Sequence, residues 1–116
     1  MKKFQLFSFA LFNLILSNNV LAYEIKVYNR LDRNTHFIAT LISADKGECV
    51  KLHPTTSKRV NYNESVVFNQ NIPEDGYCLE ANKHFETSVF GPFYASKCSI
   101  SVEYIKNGDG IFTSNC

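Results

Sequence analysis

The sequence predicts an all-β domain: a small two-sheet antiparallel sandwich of immunoglobulin-like architecture with two disulfides, or alternatively a small β-barrel. Three observations predict it. Seven to nine short segments carry alternating or β-branched and aromatic residues, and turn residues separate them. After Ala22, no window of eleven or more residues repeats its apolar positions at the helical period of 3.6. All four cysteines lie in that same part of the chain, an even number suited to two bridges.

The first residues indicate the compartment. Lys2 and Lys3 precede a largely apolar run from Phe4 to Leu16, then polar Ser17-Asn18-Asn19 and the ending Val20-Leu21-Ala22. This is the pattern of a secretory signal peptide over residues 1–22, and the protein is expected to be secreted or periplasmic. The apolar core is shorter than the roughly 20 residues that span a bilayer. No cysteine follows Ala22 to carry a lipid, so no membrane anchor is expected after cleavage. Of 116 residues, removal of 22 leaves 94, enough for a single domain over residues 23–116. Without Lys2 and Lys3 the 12 Lys and Arg become 10 against 11 Asp and Glu, a net charge of −1. That balance argues against nucleic acid, whose binding needs concentrated positive charge.

In chain order, Tyr23 to Asn29 alternates, with Ile25 and Val27 on one face. Thr35 to Ser43 follows as a strand with Phe37, Ala39 and Leu41 on one side and Ile38 and Ile42 on the other, so both faces should be covered. Asp45-Lys46-Gly47 turns the chain into Glu48 to His53, which Pro54 ends because it has no amide hydrogen for the ladder. Thr55 to Asn63 is a weak edge strand or a loop, and Glu64 to Asn69 is a strand rich in Val and Phe. Pro73-Glu74-Asp75-Gly76 has turn chemistry and leads to Tyr77 to Ala81. Asn82 to His84 is a break, Phe85 to Phe90 a further strand, and Gly91-Pro92 an interruption.

The last segment, Cys98 to Cys116, reads as a hairpin around Asn107-Gly108, the strongest short hairpin signal. A three-residue loop, Lys106-Asn107-Gly108, pairs Ile105 with Asp109, Val102 with Phe112 and Cys98 with Cys116. In that register Cys98, Ile100, Val102, Tyr104, Phe112 and Cys116 share one face, and Ser99, Ser101, Glu103, Thr113 and Asn115 share the other. The expected bridges are therefore Cys98–Cys116 and, by elimination, Cys49–Cys78. They close loops of 19 and 30 residues, and chain entropy assigns roughly 3–4 kcal/mol to each. A domain this small benefits from such reinforcement.

Catalytic patterns are weak. His36, His53 and His84 are dispersed, no cysteine pair has zinc-site spacing, and neither metal nor cofactor is expected. There is no G-x-S-x-G and no Gly-rich phosphate loop, and bridged cysteines are not nucleophiles. Asn63-Glu64-Ser65 matches a glycosylation pattern, taken as coincidental in a chain whose leader is of bacterial type. Surface recognition remains. The segment Phe85 to Tyr94 holds four aromatics around Gly91-Pro92. Phe90, Phe93 and Tyr94, together with Tyr62, are candidate contacts for a protein or glycan partner. The expected function is a noncatalytic exported binding domain. The alternatives are an inhibitor of an extracellular hydrolase, with Gly91-Pro92 as a plugging loop, or a small secreted hydrolase using Glu and His.

Overall fold

The structure is a computed structural model that describes residues 23–50, 56–71 and 75–116. Nine strands are present among them: β1 (Tyr23–Asn29), β2 (Phe37–Asp45), β3 (Glu48–Val50), β4 (Ser57–Val60), β5 (Ser65–Gln70), β6 (Tyr77–Lys83), β7 (Glu86–Phe93), β8 (Lys97–Tyr104) and β9 (Ile111–Ser114). Residues 1–22, which the sequence reads as a signal peptide, the end of the third strand with His53 and Pro54, and Pro73-Glu74 of the next turn lie outside the described residues.

Two sheets form the sandwich. One has the order β5-β1-β8-β9; the other has β3-β2-β6-β7, with β4 pairing along β2 beside β3. The weak segment at Thr55 to Asn63 thus supplies an edge strand. One pairing departs from the antiparallel pattern: β1 runs parallel to β8, Ile25 opposite Cys98 and Val27 opposite Ile100. The inward rows are those of the alternation. Ile25 and Val27, Phe37, Ala39 and Leu41, Leu79 and Ala81, and Ile100 and Val102 are all buried in one core.

β2 is covered on its second face as well. Ile42 and Ala44 form a small cluster with Cys78 and Cys49. Cys49 lies on β3 and Cys78 on β6, with β2 between them in the sheet. Strands two apart in a flat sheet stand roughly 9–10 Å from each other, yet these two Cα atoms are 5.8 Å apart. The β2–β3 hairpin therefore curls over the outer face, and the bridge clamps it there. This curl gives the second sheet its half-barrel character.

Gly91-Pro92 is not a projecting loop. It lies within β7, where Tyr77 pairs with Phe93 and Leu79 with Phe90, so two residues oppose Cys78 alone. A bulge on an edge strand tolerates Pro, which has no amide hydrogen to place. Gly91 has φ 130°, and a Cβ there would stand 3.1 Å from Cys78 Sγ and 3.2 Å from the Tyr77 carbonyl oxygen. Strand β7 can cross the disulfide this closely only as glycine.

The closing hairpin keeps the expected outer register, Ile100 opposite Ser114 and Val102 opposite Phe112, with the Cys98–Cys116 bridge at its open end. Its inner end differs. A bulge after Val102 pairs Tyr104 with Ile111, and the connection is longer than three residues. Tyr104 turns outward, whereas Ile105 is fully buried. The turn itself is at Lys106–Asp109, where the Asp109 amide donates to the Lys106 carbonyl at 3.0 Å and Gly108 takes φ 84°.

The extra length carries the loop from one sheet to the other. Ser88 Oγ donates to the Lys106 carbonyl at 2.7 Å and accepts from the Lys106 amide at 3.0 Å, and the Thr87 amide donates to Asn107 Oδ1 at 2.8 Å. Gly110 permits the approach, since a Cβ there would lie 2.6 Å from Ser88 Oγ and 2.7 Å from Phe90 Cζ.

Candidate functional site: a loop-bearing pole

The registers collect four connections at one end of the sandwich. Strands β1, β4, β6 and β8 finish there, and β2, β5, β7 and β9 begin there. The connections are residues 30–36, 61–64, 84–85 and 105–110.

Asn29 fastens two of them. It is completely buried, on the same face of β1 as Ile25 and Val27. Its Nδ2 donates to the Thr35 carbonyl at 2.8 Å and to the Val60 carbonyl at 3.1 Å, and its Oδ1 accepts from the Leu31 amide at 3.0 Å. A buried amide is tolerated when its hydrogen-bonding capacity is satisfied. Asn29 thereby joins the 30–36 loop to the end of β4.

Between those segments lies an open groove of about 420 Å³, with Asn34, Thr35 and His36 on one side and Arg59, Asn61, Tyr62 and Glu64 on the other. The second side is ordered by its own network. Arg59 Nε donates to Asn61 Oδ1 at 2.9 Å, and Asn61 Nδ2 donates to Glu64 Oε1 at 3.2 Å. A turn closes beneath them, with the Glu64 amide donating to the Asn61 carbonyl at 3.0 Å and Asn63 at φ 60°. Asn accepts that left-handed conformation more readily than most residues.

The 84–85 connection is the tightest on the pole. Lys83 pairs with Glu86, leaving His84 and Phe85 as a two-residue turn. Of the two, only His84 has positive φ, at 56°, the pattern of a turn that favours Gly at its first central position. Lys83 Nζ lies 3.5 Å from Glu86 Oε1 at the base. Phe85 stands at the tip with 96% of its surface exposed. Tyr104, displaced outward by the bulge in β8, lines a smaller recess with Lys83 and Arg33.

The four aromatic residues expected to bind do not come together. Tyr62 is half-buried in the polar groove. Phe90 and Phe93 belong to the core, each packed on Phe112 with ring centroids 4.7 and 5.7 Å apart respectively. Tyr94 is exposed, but in the connection after β7 at the opposite pole, beside Gly76. The outward aromatics at the loop-bearing end are Phe85 and Tyr104. Phe85 was visible in sequence as an aromatic next to a break, whereas a bulge in β8 left no comparable signal.

At the opposite pole Tyr77 is buried, and its hydroxyl donates to the Ala95 carbonyl at 3.0 Å while lying 3.1 Å from Cys98 Sγ. Burial, with a smaller contribution from Tyr23, pushes its hydroxyl up to about 12. Among the described residues, no three His, Cys, Asp or Glu side chains converge as metal ligands would.

Fold and pole together define a disulfide-braced β-sandwich with four of its eight connections at this end. No family model, no curated protein and no solved structure matches the chain. Two bridges in so small a domain are typical of oxidising compartments.

Proposed function

We propose that this protein is an exported, noncatalytic binding domain, secreted or periplasmic, that recognises a protein or glycan through the loops at this pole. The supporting observation is the β6–β7 turn. His-Phe occupies a position where Gly-containing pairs make the easier turn, and Phe85 is left in water without an intramolecular partner face. Neither choice helps the fold. An aromatic anchor on a short, braced hairpin does help binding, because it buries a large area at little conformational cost. A second reading, an inhibitor that places this tip in the cleft of an extracellular hydrolase, is favoured by the same projecting geometry.

The test compares the exported protein with its Phe85→Ser variant in capture of envelope and extracellular proteins and glycans. A partner held by the parent and lost by the folded variant supports the reading. Equal capture by both rejects it. If the captured partner is a hydrolase, its activity with and without the protein separates inhibition from simple adhesion.

A further inference from the structure

We infer that the groove between the 34–36 loop and the Arg59–Glu64 network is a subsite for a neutral saccharide. This deepens the binding reading and rests on it, but it is carried by different residues from the Phe85 tip.

Each residue lining the groove bears a side-chain hydrogen-bonding group. Arg59 offers only donors and Glu64, when ionised, only acceptors; the amides of Asn34 and Asn61 offer both. The chain of bonds from Arg59 through Asn61 to Glu64 links a cation and an anion on one side of the groove. An anionic ligand drawn to Arg59 meets the Glu64 carboxylate, and a cationic ligand drawn to Glu64 meets the Arg59 guanidinium. A hydroxyl donates to one and accepts from the other. Neighbouring hydroxyls on a pyranose ring therefore match this arrangement without an unpaired charge, and the aromatic Tyr62 also lines the groove.

Preorganisation is the second part of the argument. The far side of the groove is not a loose loop, because Thr35 is held through its carbonyl by the buried Asn29, which also holds Val60 at the base of the network side. The backbones of both sides are thus tied to one interior residue, which lowers the ordering cost of binding a polar ligand. The groove, about 420 Å³, is open to solvent, so an oligosaccharide unit can enter it.

The experiment uses the exported protein, labelled with nitrogen-15, titrated with maltose, cellobiose, lactose and N,N′-diacetylchitobiose, and separately with inorganic phosphate and with putrescine. Saturable shifts of the Asn34–His36 and Asn61–Glu64 amides with at least one saccharide, and not with phosphate or putrescine, are expected. Asn61→Ala and Glu64→Gln should each weaken that saccharide about tenfold, the effect of losing one hydrogen bond to a charged group. Their unchanged melting temperatures would show that the fold is intact. No shift at these amides with any of the four sugars overturns the inference, as does a preference for phosphate or putrescine. Retained Phe85-dependent capture alongside such a result would reject the subsite and leave the binding reading standing. Phe85→Ser with undiminished saccharide binding supports a groove that works independently of the tip.

Discussion

The Ser88 hydroxyl and the Lys106 backbone are joined twice, Oγ donating to the carbonyl and accepting from the amide. Ser88 belongs to one sheet and Lys106 to the connection leaving the other, so this pair closes the sandwich at its loop-bearing end. Ser88→Ala leaves the Lys106 amide without its partner and the Lys106 carbonyl with the Asp109 amide alone. We expect a loss of about 1–3 kcal/mol in urea unfolding, with faster hydrogen exchange at the Lys106 amide.

Asn29 makes the larger contribution to the same pole. Asn29→Leu keeps the branching and the number of side-chain heavy atoms, but two carbonyls and the Leu31 amide lose their bonds to it. The expected cost is on the order of 3 kcal/mol. Hydrogen exchange should localise the damage to residues 30–36 and to the end of β4.

The two disulfides should differ in what they protect. Replacing Cys98 and Cys116 together by Ser should cost roughly 3 kcal/mol, lowering the melting temperature by on the order of 10–20 °C for a domain of this size. Replacing Cys49 and Cys78 should also release the β2–β3 curl. Exchange protection at Ala44, whose amide donates to the Gly76 carbonyl, reports it.

Tyr77 predicts an alkaline dependence. Its pKa rises from 10.0 to about 12 on folding, so the native state retains a proton that the unfolded chain releases. The stabilisation is complete below pH 10 and is lost as the pH rises through 12. Thermal melts between those values should show falling stability, and Tyr77→Phe should flatten the slope.

The His84-Phe85 turn separates stability from the proposed binding role. His84→Gly relieves the left-handed backbone at φ 56° and should stabilise by about 0.5–1 kcal/mol. Phe85→Ser should change stability by no more than about 0.5 kcal/mol. Loss of stability in Phe85→Ser by denaturant titration would mean that the ring packs in solution and is no free anchor.

Much of the fold was legible because alternation is local. Ile25 and Val27, or Ile100 and Val102, reveal their shared face within a few residues, and Cys98 falls opposite Cys116 once Val102 is set against Phe112. Asn29 has the same parity as Ile25 and Val27, so its burial was implicit in the sequence; its hydrogen-bond partners were not, because Thr35 and Val60 meet it through the tertiary fold. The bulge beside Cys78 absorbed Gly91 and Pro92 into β7, and the bulge before Tyr104 exchanged the places of Tyr104 and Ile105. Each resets the period of two without changing composition.

The sequence by itself determined the all-β class, the pairing of the cysteines and most inward rows, since these follow from spacing along single strands and one hairpin. Only the tertiary structure decided which aromatics face water. Phe90 and Phe93 are covered because Phe112 arrives from the opposite sheet, while nothing arrives over Phe85. Burial depends on what the facing layer contributes, and that is a property of two distant segments meeting rather than of either one alone.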